Sequence, residues 1–400
     1  MKKSVMAKII AALLAVCFAA AVFAGCGKDT RTVMSLTKNG KTYTITADEF
    51  SLLMMINKLD FCCSSLITRS TDTLTYWAKT TEDGETYEDY YKNAVMERTK
   101  AILVEKYLTD TLGLKISADK LAEYKEGIKT ANASYGGKGA YKQYFGYTAS
   151  EYYNVYMNMV SRSELVLEHL YGENGEYKVT AEDLETYFQE NYVGYIFIVL
   201  DMKNRVVRDE DGNRIIKMKE NKDGESEPSD TYETEALTDE EKEEKQTLAK
   251  TILTELENGA DFADLVQKYS DEYYSVEFPD GMFVLKEGKF INATVTDKIK
   301  DLEIGEYTTE EITSGDYQYI IKRVDLVEGV YDRDEYLELF EGYDDTVKYD
   351  KYETYVESFF EEINVDEAVC GEFTMADTYL SKYADYYYQL VYNSYFSSLY

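Results

Sequence analysis

Among 400 residues the sequence has one histidine, one tryptophan and 43 basic residues against 76 acidic ones. The lone histidine, His169, sits among Leu165, Val166, Leu167 and Leu170. No nucleophile and acid surround it, so it reads as a packing or surface residue and not as a catalytic base or metal ligand. The shortage of cations leaves a net charge of −33. That argues against nucleic acid or an anionic membrane face as partner, because both are bound through surplus Lys and Arg. The acidity fits solubility outside a cell. Cysteine is also scarce: there are five, and Cys62-Cys63 lacks the spacing of a redox pair. There is no phosphate loop, zinc spacing or calcium-loop spacing, so neither a cofactor nor a metal is expected. No repeat of fixed period is present, and no alternating βαβ pattern supports a two-lobed substrate-binding fold.

The first thirty residues are informative. Lys2, Lys3 and Lys8 precede an apolar run from Ile9 to Val22, and small residues lead to Cys26. This is the layout of an export signal, and the run is shorter than the roughly 20 residues that span a bilayer. The segment Val22-Phe-Ala-Gly-Cys26 resembles a bacterial lipobox, with Phe23 where Leu is usual. The resemblance implies cleavage after residue 25 and a diacylglycerol on Cys26. The expected location is therefore extracytoplasmic, held to the membrane by lipid. Cys17 leaves with the signal, so Cys62, Cys63 and Cys370 remain. A bridge from Cys370 to one of the other two is possible, and a buried free thiol is the simpler expectation.

A hydrophobic content of 44% suits two or three packed domains. Asn39-Gly40 between two alternating runs predicts a β-hairpin. Capping boxes at Thr46–Glu49 and Thr148–Glu151, Ser117, Thr180 and the stop at Gly113 mark a succession of helices. At Val193 the pattern changes. Tyr195 to Leu200 is a compact apolar strand, and residues 208–238 form a charged stretch expected to be a solvated, mobile insertion. Helices from Thr238 and Asp261, a turn at Pro279-Asp-Gly281, and strands near 282–285, 307–312 and 317–325 follow, with a short helix near 296–302. The order β-α-α-β-α-β-β predicts an α+β domain.

The stretch Gly259-Ala-Asp-Phe-Ala-Asp-Leu-Val-Gln-Lys-Tyr-Ser270 resembles the parvulin pattern GxxFxxLAxxYS. Pro279 to Phe283, Gly288, Leu302 to Gly305 and Tyr317 to Lys322 follow in parvulin order. The hairpin and helices before it resemble the N-terminal chaperone domain of the SurA/PrsA foldases. The implied layout is a signal at 1–25, a mostly helical SurA/PrsA-like domain at 26–192, a parvulin-like peptidyl-prolyl isomerase domain at 193–328 with the acidic insertion, and C-terminal helices at 329–400 that complete the first domain. The resemblance places the active site at Tyr195, Asp271 and Tyr319, with tyrosine at both positions where the family has histidine. Proline-pocket or client contacts fall on Met282, Phe283, Phe290 and Thr294, the last sharing its position with Val295.

Prolyl isomerisation crosses a rotational barrier of ~18–20 kcal/mol without breaking a bond. Tyrosine hydroxyls could therefore keep a hydrogen-bond network, although the altered pocket points to weak or lost activity. The 40 tyrosines suit either a surface for apolar client segments or half-buried filler, and a Tyr-rich tail follows Thr378. The expected function is that of a lipid-anchored foldase or chaperone for unfolded exported proteins. The alternative is a non-catalytic envelope scaffold of the same fold.

Overall fold

The structure is a computed structural model that describes residues 29–222, 224–288 and 291–397, with the backbone path alone at 156–158 and 393–397. Cys26 and Phe290 lie outside the described residues. The chain forms two compact units. Residues 179–347 make one, and the described residues from 348 onward join those from 29 to 178 in the other. The fold is α+β in both.

The first unit opens with β1 (Thr32–Lys38) and β2 (Lys41–Thr46) in an antiparallel hairpin. Asn39 and Gly40 take φ of 52° and 76°, the left-handed pair that a tight two-residue hairpin turn requires. Thr46 then caps α1 (Ala47–Ser64): its hydroxyl accepts from the Glu49 amide, and Glu49 reaches back to the Thr46 amide. A short α2 (Leu74–Trp77) leads to α3 (Tyr87–Thr111), which ends before Gly113 at φ 66°. Helices α4 (Ala118–Ser134), α5 (Lys138–Phe145), α6 (Ala149–Tyr156) and α7 (Arg162–Tyr171) complete the N-terminal part, with a π-helical turn at Met157–Ser161. Phe50, Met54, Leu103, Tyr141, Phe145 and Val166 are among the side chains buried at its centre. Cys62 and Cys63 are buried free thiols, as is Cys370, and burial pushes all three thiols upward in pKa. His169 is exposed on α7.

The second unit starts with α8 (Ala181–Asn191), which runs directly into β3 (Tyr192–Asp201). The unit boundary therefore falls before this helix, not at residue 193. Phe188 of α8 explains why: it is fully buried against Phe283, Phe340 and Tyr331 of the same unit. The acidic stretch is largely exposed, as expected, but it is not without structure. It folds as two paired ribbons, β4 (Asn204–Val206) with β7 (Thr234–Ala236) and β5 (Ile216–Glu220) with β6 (Ser226–Tyr232). Tyr232 anchors them in an apolar cluster, a long-range contact that low hydropathy conceals. Then come α9 (Asp239–Glu257), α10 (Phe262–Tyr269), α11 (Tyr273–Glu277), β8 (Met282–Leu285), α12 (Ala293–Ile299), β9 (Ile312–Ser314) and β10 (Tyr317–Val324). Outside the ribbons β4–β7 the expected order holds with one helix more, α11. The strand expected from 307 reduces to a single bridge, Tyr307 with Lys322, ahead of β9.

The four-stranded antiparallel sheet of this unit runs β8-β3-β10-β9. Its two faces follow from the alternation of strand side chains. Ile196, Ile198, Leu200 and Ile320 pack with Ala249, Ile252, Leu253 and Leu256 of α9 and Phe262, Leu265 and Val266 of α10. Tyr195, Phe197, Val199, Tyr319 and Ile321 pack with Val295 and Ile299 of α12.

The last segment begins with α13 (Tyr343–Glu357). Tyr343 and Val347 belong to the core of the second unit, and Tyr352 and Val356 to that of the first. Next, β11 (Ile363–Val365) pairs with β1, making a three-stranded sheet β11-β1-β2. After α14 (Glu367–Cys370), α15 (Lys382–Ser397) lays Tyr383 and Tyr387 on the first unit's core and leaves Tyr386, Tyr388 and Tyr392 exposed. The segment is held by Lys58 of α1, which is 0% exposed. Its ammonium donates to the Met375 and Thr378 carbonyls at 2.7 and 2.5 Å and meets Asp72 at 2.8 Å. Among the described residues no helix is long and apolar enough to cross a membrane.

Candidate functional site

The sequence points to the sheet of the second unit, and there the expected residues part company. Tyr195 and Tyr319 do share one face and one apolar cluster. Their register differs: Tyr319 lies opposite Val199, whereas Tyr195 lies opposite Arg323. Four residues therefore separate them along the strand, roughly 13 Å at strand rise. The ring diagonal to Tyr319 is Phe197, not Tyr195. Both tyrosines are buried, and burial is the main cause that raises each phenol's pKa. Each thus stays protonated near neutrality, a hydrogen-bonding group and not a base.

Asp271 is committed elsewhere. Strand β8 covers β3 only over residues 192–195, so the amides beyond it need other partners. Ser270 and Asp271 supply them. The Ser270 hydroxyl accepts from the Val199 amide at 3.1 Å, the Asp271 amide donates to the Val199 carbonyl at 2.8 Å, and the Asp271 carboxylate accepts from the Asp201 amide at 2.9 Å. The same carboxylate pairs with Lys245 of α9 at 2.7 Å, on the helix that covers the other face. The Tyr-Ser-Asp stretch is here a clamp that finishes a strand edge. The carboxylate whose field does reach Tyr319 is that of the next residue, Glu272. It caps α11 by accepting from the Tyr274 and Ser275 amides at 3.1 and 2.8 Å, and burial raises its pKa.

The pocket residues divide in the same way. Met282 touches both the α12-side cluster and the neighbouring core, whereas Phe283 lies in that second core alone, packed on Phe188 and Tyr336. Of Thr294 and Val295, Thr294 is exposed and Val295 is fully buried beneath the sheet. Gly281 sits at φ 110°, and a Cβ there would come within 2.8 Å of the Tyr195 carbonyl. Only glycine closes this turn beside Tyr195 without strain.

An open cleft of about 260 Å³ lies on the α12 side, lined by Val193, Tyr195, Val284, Thr296, Ile299 and the cations Lys286, Lys300 and Arg323, with Leu285 and Gly288 at its edge. Sequence reading missed Phe197 and all three cations. Phe197 is signalled only by its two-residue spacing from Tyr195, and the uninterrupted apolar run obscures that period. The cations come from three separate elements and carry no local signal.

This arrangement can seat an apolar or hydrogen-bonding group on a rigid floor. Around the two tyrosines, the described residues offer no imidazole and no unengaged carboxylate to move a proton.

No family model and no curated protein matches the sequence. Among solved structures the chain is similar to PrsA from Bacillus subtilis, with 18% identity over 73% of this chain and 88% of that one at a TM-score of 0.22. It is similar to foldase protein PrsA from Streptococcus pneumoniae, with 18% identity over 73% and 96% at 0.21. A third likeness is to a SurA-like chaperone structure from Campylobacter jejuni, with 14% identity over 83% and 96% at 0.19. Superpositions at this level transfer no residue, and the site stands on its own geometry.

Proposed function

We propose that the chain is a foldase-type chaperone for unfolded exported proteins, tethered outside the cytoplasm through Cys26, with weak or absent prolyl isomerase activity. The observation that carries this reading is the open, tyrosine-floored cleft on the sheet face to which the motif order assigns the isomerase site. Above the buried Tyr195 ring, the half-buried Val193 and Val284 give apolar client segments a surface to pack on. Isomerisation needs a grip on the proline ring and support for the twisted imide across a barrier of ~18–20 kcal/mol. Separated tyrosines, and an Asp271 bound to Lys245, give binding without an assembled catalytic group.

Three measurements test this. The full chain should suppress aggregation of an unrelated reduced protein; failure to protect would favour the envelope-scaffold alternative. A protease-coupled assay on an Ala-Pro peptide should run near the uncatalysed rate, and a large enhancement would return the domain to the enzymes. Cys26→Ala should release the protein from membranes, and retention of the variant there would refute the lipid tether.

A further inference from the structure

The cleft beside Tyr195 is basic in a protein with 76 acidic and 43 basic residues. Its lining holds Lys286, Lys300 and Arg323 and no Asp or Glu. Elsewhere in the same unit the partly buried Lys245 is matched with Asp271, and Arg205, Lys203 and Arg333 also meet carboxylates, whereas other cations such as Lys217 and Lys250 stand singly on the surface among the described residues. Among the described residues none of the three cleft cations has a carboxylate at ion-pair distance.

Two of them are instead held by neutral carbonyls. Lys286 donates to the Gln189 and Glu190 carbonyls at the end of α8, at 3.1 and 2.6 Å. Arg323 donates through Nη1 to the Leu302 carbonyl at 2.8 Å, just past α12. Carbonyls orient a cation without cancelling its charge, so the positive field of the cleft is fixed in place. Arg323 also faces Tyr195 directly across the strand pair, and its Nε is buried without a partner. Strand β8, whose Val284 and Leu285 line the cleft, is an edge of the sheet. An extended chain can lie along such an edge and drop alternate side chains inward.

We infer that this cleft selects client segments that carry an acidic side chain next to an apolar one, the carboxylate between Lys286, Lys300 and Arg323 and the apolar group on the half-buried Val193 and Val284. The inference rests on the chaperone reading and names the segment class that the same cleft would favour.

The test uses the full chain and amidated, N-acetylated extended peptides that differ only in a central Phe-Glu or Phe-Gln. The Glu peptide should bind about tenfold tighter at low salt, the size of one well-placed ion pair. The advantage should shrink as salt is raised. Lys300→Glu, at an exposed position, should erase the advantage of the Glu peptide over the Gln peptide. Lys286→Gln, which retains a donor for the α8 carbonyls, should reduce it. Equal affinity for the two peptides overturns the inference and leaves the chaperone reading standing. An advantage that survives both variants overturns it as well. A third peptide, with Phe-Gln and a free C-terminal carboxylate, should bind like the Gln peptide; tight binding of that one alone would move the site to chain ends and overturn the side-chain assignment. If no peptide binds and aggregation is not suppressed, the chaperone reading itself falls.

Discussion

On the α9 side of the four-stranded sheet, Lys245 and Asp271 meet at 2.7 Å with side chains 10% and 16% exposed, and Asp271 also completes the edge of β3. On the α12 side, Lys286, Lys300 and Arg323 ring a cleft with no carboxylate among them. The sheet is the same; the treatment of charge is opposite. A charge taken out of water and matched in place serves the fold, because unmatched it would cost several kcal/mol. A charge left unmatched at an open cleft remains available to something outside. The motif residue Asp271, read from the sequence as catalytic, falls on the structural side of that division, and Lys286, Lys300 and Arg323, which carry no motif, fall on the other.

The first unit extends the comparison to a cation at the limit of burial. Lys58 holds Asp72 and two carbonyls of the returning segment, and Trp77 lies 5.2 Å from its ammonium. Lys58→Met would leave that carboxylate and both carbonyls without the donor, a loss of about 3–5 kcal/mol. It is expected to lower the unfolding midpoint further than Lys245→Ala or Val295→Ala and to expose residues 375–378 to protease. A midpoint within error of the parent would show that the pair is dispensable. Lys245→Ala repeats the experiment at a site with some water, so about 2–3 kcal/mol is expected. Peptide binding at the α12-side cleft should be unchanged; a matching loss of binding would mean that the two faces are not separate in function.

Glu105 is the intermediate case, a buried carboxyl without a full ionic partner. The Tyr352 hydroxyl donates to it at 2.9 Å. Burial raises its pKa to about 7, against weaker opposing effects of hydrogen bonds from Tyr352 and Ser163 and of the charges on Arg98 and Arg162. An acid whose folded pKa lies above its unfolded value near 4.5 binds its proton more tightly when folded. Its contribution to stability is therefore present below about pH 4.5 and is lost as pH rises through about 7. Glu105→Gln should flatten the stability profile between those limits and raise stability at pH 8 by about 2 kcal/mol. A parental pH slope retained by the variant would assign the effect to other groups.

Much of the fold was legible because it is written in local chemistry. The Asn39-Gly40 turn, the capping boxes at Thr46, Thr148, Thr180 and Thr238, and the stop at Gly113 each mark an element through contacts a few residues apart. The ribbons of 204–236 were not legible, since their apolar anchors, Tyr232 with Val206 and Ile216, are sparse in a polar stretch and their partners are distant in sequence. The site was legible as a region and not as a constellation. Motif order located the strands, but register decides that Arg323, and not Tyr319, stands opposite Tyr195. Register is fixed by pairing across the sheet, and a one-residue slip exchanges its faces. The three cleft cations come from a loop after β8, the end of α12 and β10, so no linear spacing links them.

The smallest effect tests the floor of the open face. Thr294 and Val295 are adjacent, and the motif alone does not say which of them looks into the sheet. Val295 is 0% exposed, so Val295→Ala removes two buried carbons and leaves a void, a loss of about 2 kcal/mol. Thr294 is exposed on α12, and Thr294→Ala should change stability by less than about 0.5 kcal/mol. Because α12 supplies Ile299 and Thr296 to the cleft wall, loosening its seat should weaken Glu- and Gln-peptides by the same factor, unlike Lys300→Glu, which removes the difference between them. If Val295→Ala instead altered only the preference for the acidic peptide, the cleft would be reading charge through the packing of α12, and the open face could not be treated as a fixed frame carrying three independent cations.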